Sequence, residues 1–140
     1  MGIPTEKEWR PFNPEDLDAA YAKRQFLGKS YAQAVEMFAE NALHYGEDLE
    51  SMPRIPLNYY APALAEYITS KNAKEDADGA SSYLTRVIWI VKQRAELLSD
   101  KTKNTLIAAA KEVLANQDFY DATADIYGSF EDYRVEIYRL

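Results

Sequence analysis

Residues 79–98 read GASSYLTRVIWIVKQRAELL, and this stretch decides the fold class. Leu84, Val87, Ile88, Val91, Ala95 and Leu98 recur at intervals of three and four, which is one apolar stripe of an α-helix. Tyr83, Ile90 and Leu97 form a second stripe, and Trp89 falls on yet another side. A helix that is apolar over so much of its circumference packs on several neighbours. The segment is therefore predicted as the centre of the fold, with Ile88 and Val91 among its most buried residues.

Working outward, the same periodicity recurs in both directions. Tyr31, Ala34, Val35, Phe38, Ala42 and Tyr45 make a stripe that opens with the capping-box pattern Ser30-x-x-Gln33, and Gly46 is expected to stop that helix. An earlier helix is expected to start at Pro14, capped by Asn13, and to run to Phe26 with Gly28 ending it. Thr5-x-x-Glu8 reads as a further capping box, but residues 1–12 as a whole are expected to form a loosely ordered arm.

The run Met52-Pro53-Arg54-Ile55-Pro56 reads as an extended linker, because proline fixes its own φ and disfavours helix in the residue before it. A helix from about Asn58 must then hold Pro62 near its start, with Tyr59, Tyr60, Ala63, Leu64, Tyr67 and Ile68 as its inner face. After the central segment, Ser99 or Asp100 opens a helix carrying Leu106, Ile107, Ala110, Val113 and Leu114. In the tail, Gly128 separates a short helix from a final one beginning near Phe130. Alternating apolar and polar runs joined by tight turns are missing, so strands are not expected. The expectation is an all-α single domain over residues 1–140, an irregular antiparallel helical bundle of five to seven helices.

Composition narrows the function classes. The chain has 140 residues and a formal net charge of −7, from 23 acidic and 16 basic side chains. Such a surface is repelled by nucleic-acid phosphates and by anionic lipid, so neither is an expected partner. There are no cysteines, which removes disulfides, thiolate zinc sites and cysteine nucleophiles. The first residues do not read as a secretory signal, and no apolar run approaches the roughly 20 residues of a membrane helix. A bacterial-type cytoplasm is the expected location.

Local motifs supply no chemistry. Gly28-Lys29-Ser30 resembles the end of a phosphate-binding loop, but the glycine that the pattern needs five residues earlier is Lys23. Asp76-Ala77-Asp78-Gly79 resembles the middle of a calcium loop, but Lys74 and Thr85 stand where the first and last carboxylates belong. Asp76 and Asp78 read instead as the cap and first-turn charge of the central helix. Glu36, Glu40 and the single histidine, His44, line up along one helical face opposite the apolar stripe, as a solvated row does. No metal and no cofactor are expected, and no catalytic residues stand out.

The unusual feature is aromatic: 11 tyrosines, five phenylalanines and two tryptophans. Tyrosine joins apolar area to a polar tip and is enriched at interfaces. From Asp118 to Leu140 six acids face Arg134 and Arg139, a local net of −4, with tyrosines interleaved. Tyr120, Asp121, Asp125, Tyr127, Glu131, Asp132 and Tyr133 are the candidate partner surface, suited to arginine- and lysine-rich proteins. The functional expectation is a non-enzymatic, acidic protein-binding module, of the kind that inhibitors and immunity proteins represent, covering a basic partner. Two alternatives accompany it. One is a ligand-binding protein or enzyme with an aromatic pocket formed by Tyr59, Tyr60, Trp89 and Tyr127. The other is a homo-oligomer in which the tyrosine-rich surface meets itself.

Overall fold

The computed structural model describes residues 2–140, and these form a single all-helical domain without strands. Among the described residues seven α-helices follow one another: α1 Leu17–Phe26, α2 Tyr31–Leu49, α3 Arg54–Ile68, α4 Ala77–Gln93, α5 Asp100–Leu114, α6 Ala124–Tyr127 and α7 Arg134–Tyr138. Single 3₁₀ turns at Glu6–Trp9, Lys71–Ala73, Ala95–Leu97, Gln117–Tyr120 and Phe130–Tyr133 fill the connections. None of the helices among the described residues is long and apolar enough to cross a membrane.

Helices α2 to α5 form the body. Successive helices run antiparallel, so α2 and α4 point one way and α3 and α5 the other. The start of α3 meets the start of α5, where Asn58 Oδ1 accepts from the Ser99 N–H and Asn58 Nδ2 donates to the Leu97 carbonyl. The end of α2 meets the end of α4, where Arg86 Nε donates to Glu50 Oε2 and Arg94 donates to the Glu50 and Met52 carbonyls. Helix α1 covers α2, and the tail packs on α5.

The caps follow the local chemistry. Asp16 receives the Asp18 and Ala19 N–H groups at the head of α1, three residues later than expected, while Asn13 and Pro14 shape the preceding turn. Gly28 takes the left-handed φ of +81° that ends the segment after α1. Ser30 and Gln33 complete a capping box on α2, Asp76 caps α4 through the Gly79 N–H, and Ser99 caps α5.

Several expectations are corrected. Gly46 does not stop α2 but lies buried inside it; a Cβ there would sit 2.7 Å from Arg86 Nη1, so glycine admits the guanidinium. The interruption in α2 falls instead at Asn41, outside helical geometry at φ −159°, whose Oδ1 restarts the helix by accepting from the His44 N–H. Pro53 is a cap rather than part of an extended linker. Helix α3 starts at Arg54, and Pro56 occupies the first turn, where an N–H has no intrahelical partner in any case. Pro62 lies in the middle of α3, not near its start. Helix α3 also shares the central role expected for α4, since Leu57, Tyr60, Ala61, Ala63, Leu64, Ala65, Tyr67 and Ile68 are all buried. Ile88 and Val91 are buried, though less completely than Ala80, Tyr83 and Leu84. The N-terminal residues are docked rather than loose: the Thr5–Glu8 capping box forms, and Trp9 is buried in the core 6.2 Å from the Tyr60 ring.

Candidate functional site

The tail packs on α5 and is tied to α4 at two points. Tyr127 Oη donates to Asp78 Oδ1 (2.7 Å) at the start of α4, and Lys92 pairs with Glu136 near its end. The strip between these anchors is about 20 Å long at ~1.5 Å per helical residue. Asp121, Asp125, Glu131 and Asp132 are exposed on the tail, and Tyr133 is half-buried. Arg134 clasps Glu131 through two hydrogen bonds (2.6 and 2.8 Å), which hold that carboxyl below its usual range. Large apolar side chains stand out among the acids: Ile126 is 77% exposed and Val135 60%. Trp89, one turn before Lys92 on α4, is 41% exposed.

Tyr120 does not belong to this surface. It is buried, and its Oη donates to the carbonyl of Ile68, the last residue of α3, at 2.7 Å. This is the pattern for much of the tyrosine content. Tyr60 Oη sits 2.9 and 2.7 Å from the carbonyl oxygens of Phe26 and Lys29, at and just beyond the end of α1. Tyr83 Oη donates to the Leu106 carbonyl and Tyr67 Oη to Asp76. Tyr59 Oη accepts the Tyr31 N–H at the head of α2. Helix ends leave backbone groups unpaired, and Tyr60, Tyr120 and Tyr59 carry the missing partner across to them, whereas Tyr83 reaches a carbonyl within α5 and Tyr67 a capping carboxylate. Burial pushes the Tyr60 and Tyr120 phenols up to about 12.

Of the four aromatics expected to form one pocket, Tyr59 and Tyr60 pack edge to face 4.9 Å apart, with Tyr60 in the core and Tyr59 lining a cleft, while Trp89 lies on the surface of α4 and Tyr127 on the tail. That cleft, about 930 Å³, lies between the parallel helices α3 and α5. Tyr31, Ile55, Tyr59, Pro62, Ala65, Ala108 and Ala109 line it, with Arg54 and Lys101 at one end and Glu66 and Glu112 at the other. Small side chains on both helices keep it open.

A second cavity, about 400 Å³, lies between α1, α2 and α4 and is lined by Asp18, Tyr21, His44, Glu47, Asp48, Glu50, Ser51 and Arg86. Asp48 is 6% exposed and Arg86 8%. Arg86 Nε pairs with Glu50 at 3.1 Å, but Arg86 Nη1 and Asp48 Oδ2 are buried without a hydrogen-bond partner. Burial raises the Asp48 carboxyl to about 6; His44 and Arg86 oppose the rise, and Glu47 and Asp18 add to it. Tyr21 Oη and His44 Nε2 lie 3.2 Å apart with their rings edge to face. This cluster was hidden by the reading of Gly46 as a helix stop. The signal was present, because the stripe Ala34, Phe38, Ala42 continues at helical spacing through Gly46 to Leu49, leaving Asp48 inside a helix rather than beyond it. Glu36, Glu40 and His44 are exposed, and among the described residues no group of three or more His, Asp or Glu side chains is placed to hold a metal ion.

No protein-family model, curated protein or solved structure matches this chain.

Proposed function

We propose that this protein is a non-enzymatic, acidic protein-binding module of the inhibitor or immunity type, acting in a cytoplasmic compartment by covering a basic partner protein. The observation that carries this reading is the surface of the tail, where Ile126 and Val135 are exposed on a segment that also exposes Asp121, Asp125 and Asp132; Trp89 is exposed on α4. Exposed apolar and aromatic anchors supply contact energy once desolvated, and surrounding carboxylates select and steer a cationic partner. The net charge of −7 extends that steering field over the molecule.

The test is capture from the native host with the protein as bait, followed by binding measurements on the purified pair. One dominant basic protein, released by salt and bound at least about tenfold more weakly by Ile126→Asp/Val135→Asp, supports the reading. Retention of no basic protein, or full affinity in that variant, refutes it. The cleft between α3 and α5 favours a second reading, a carrier of a small amphipathic ligand whose apolar body rests on Tyr59 and Pro62. Ligand co-purifying with the native protein, and displaced by Ala65→Trp, would support that reading instead.

A further inference from the structure

We propose that the cavity between α1, α2 and α4 is a socket for a guanidinium group, the tip of an arginine side chain presented by the basic partner. The proposal rests on the reading of that partner as a basic protein and adds a second, defined contact to it.

Charge sets the class of ligand. Four carboxylates line the cavity (Asp18, Glu47, Asp48 and Glu50) against one guanidinium, Arg86, which pairs with Glu50 and, with His44, offsets only part of the Asp48 charge. An anion is therefore repelled and a cation attracted. An unpaired acceptor belongs to this lining, because Asp48 lines the cavity and its Oδ2 is buried with no hydrogen-bond donor within the protein. Buried carboxylate oxygens are rarely left in that condition. A metal ion is a poor occupant, since no three of these groups converge as ligands.

Ring chemistry narrows the cation further. Tyr21 and His44 line the cavity with their rings at 77° to each other, and the chain's own Arg24 already places its guanidinium 5.4 Å from the Tyr21 ring centre. A planar guanidinium stacks on aromatic faces and gives two parallel N–H groups to one carboxylate, which a lysine ammonium does not. Keeping an acid buried at this position costs the fold stability, and sites that do so are often retained for binding.

Binding of a cation beside Asp48 requires the ionised carboxylate, so below about pH 6 a proton must leave as the ligand enters. Affinity therefore falls as pH drops through about 6. The groups facing Asp48 are Asp18 and Tyr21 from α1, with Arg24 behind the Tyr21 ring, His44, Glu47 and Glu50 from α2, and Arg86 from α4.

The experiment is an NMR titration of the intact protein with N-acetyl-arginine amide, run beside its lysine counterpart and the uncharged citrulline analogue. The expected result is saturable shifts at Tyr21, His44 and Glu47 with the arginine probe, about tenfold weaker at pH 5 than at pH 7.5. Asp48→Asn should weaken binding by at least about tenfold, and Glu47→Gln on the rim should weaken it less. Equal binding of the lysine or citrulline probe, or unchanged affinity in Asp48→Asn, overturns the assignment. A cavity that stays silent while a basic protein is still captured removes the socket and leaves the proposed function standing. A responsive cavity with no captured partner upholds the guanidinium site and removes that function.

Discussion

Asp48→Asn should make this protein more stable at neutral pH, although it alters a buried polar residue. The carboxyl ionises at 3.8 in an ordinary setting and at about 6 in the fold, chiefly because burial disfavours its charged form. The sign follows from proton binding. Below about pH 4 both states hold the proton; between about 4 and 6 the unfolded chain has lost it while the folded protein keeps it. Folding free energy therefore weakens as pH rises across that window and levels off above about 7. At ~1.4 kcal/mol per tenfold change in the proton equilibrium, the full effect is about 3 kcal/mol. Solvent entering the cavity reduces this to about 1–2 kcal/mol. Asparagine keeps the shape and removes the charge, and any cost of its amide is independent of pH.

The assay is urea unfolding of both proteins at pH 4.0, 5.5 and 7.5, comparing the difference between them at each pH so that other titrating groups cancel. The variant should gain about 1–2 kcal/mol on the parent between pH 4.0 and 7.5. A difference that stays constant to within about 0.5 kcal/mol, or moves in favour of the parent as pH rises, would show that Asp48 is compensated by Arg86 and His44 rather than stranded.

Two further substitutions test how the helices are held. Trp9→Ala should cost about 3–5 kcal/mol in denaturant unfolding, because it removes a large buried ring beside Tyr60; a cost below about 1 kcal/mol would mean that the N-terminal turn is not part of the core. Tyr120→Phe should cost about 1–2 kcal/mol by leaving the Ile68 carbonyl buried without its donor, whereas Tyr127→Phe, on the surface, should change stability by less than about 0.5 kcal/mol. Equal effects of the two in thermal or urea unfolding would refute the view of buried tyrosines as staples between helix ends.

Local rules in the sequence determined which segments are helical and where most of them begin. Ser30 with Gln33, Asp76 and Ser99 cap through atoms two or three residues away, and the stripes on α2, α4 and α5 need only the 3.6-residue period. Nothing in that period distinguishes a residue whose surroundings come from far along the chain. Gly46 looks like a stop until Arg86, forty residues later, is found against it. Tyr120 looks like surface until its hydroxyl is seen on the end of α3, and Trp9 looks like part of an arm until it meets Tyr60. The candidate cavity has the same origin. Asp18, His44, Asp48 and Arg86 come from three helices, and the burial that strands Asp48 exists only once those helices close around it. Helical identity was written in neighbouring residues because caps and periodicity are short-range. Exposure, pairing and proton affinity were decided by the tertiary structure, because each depends on what the fold brings from elsewhere in the chain.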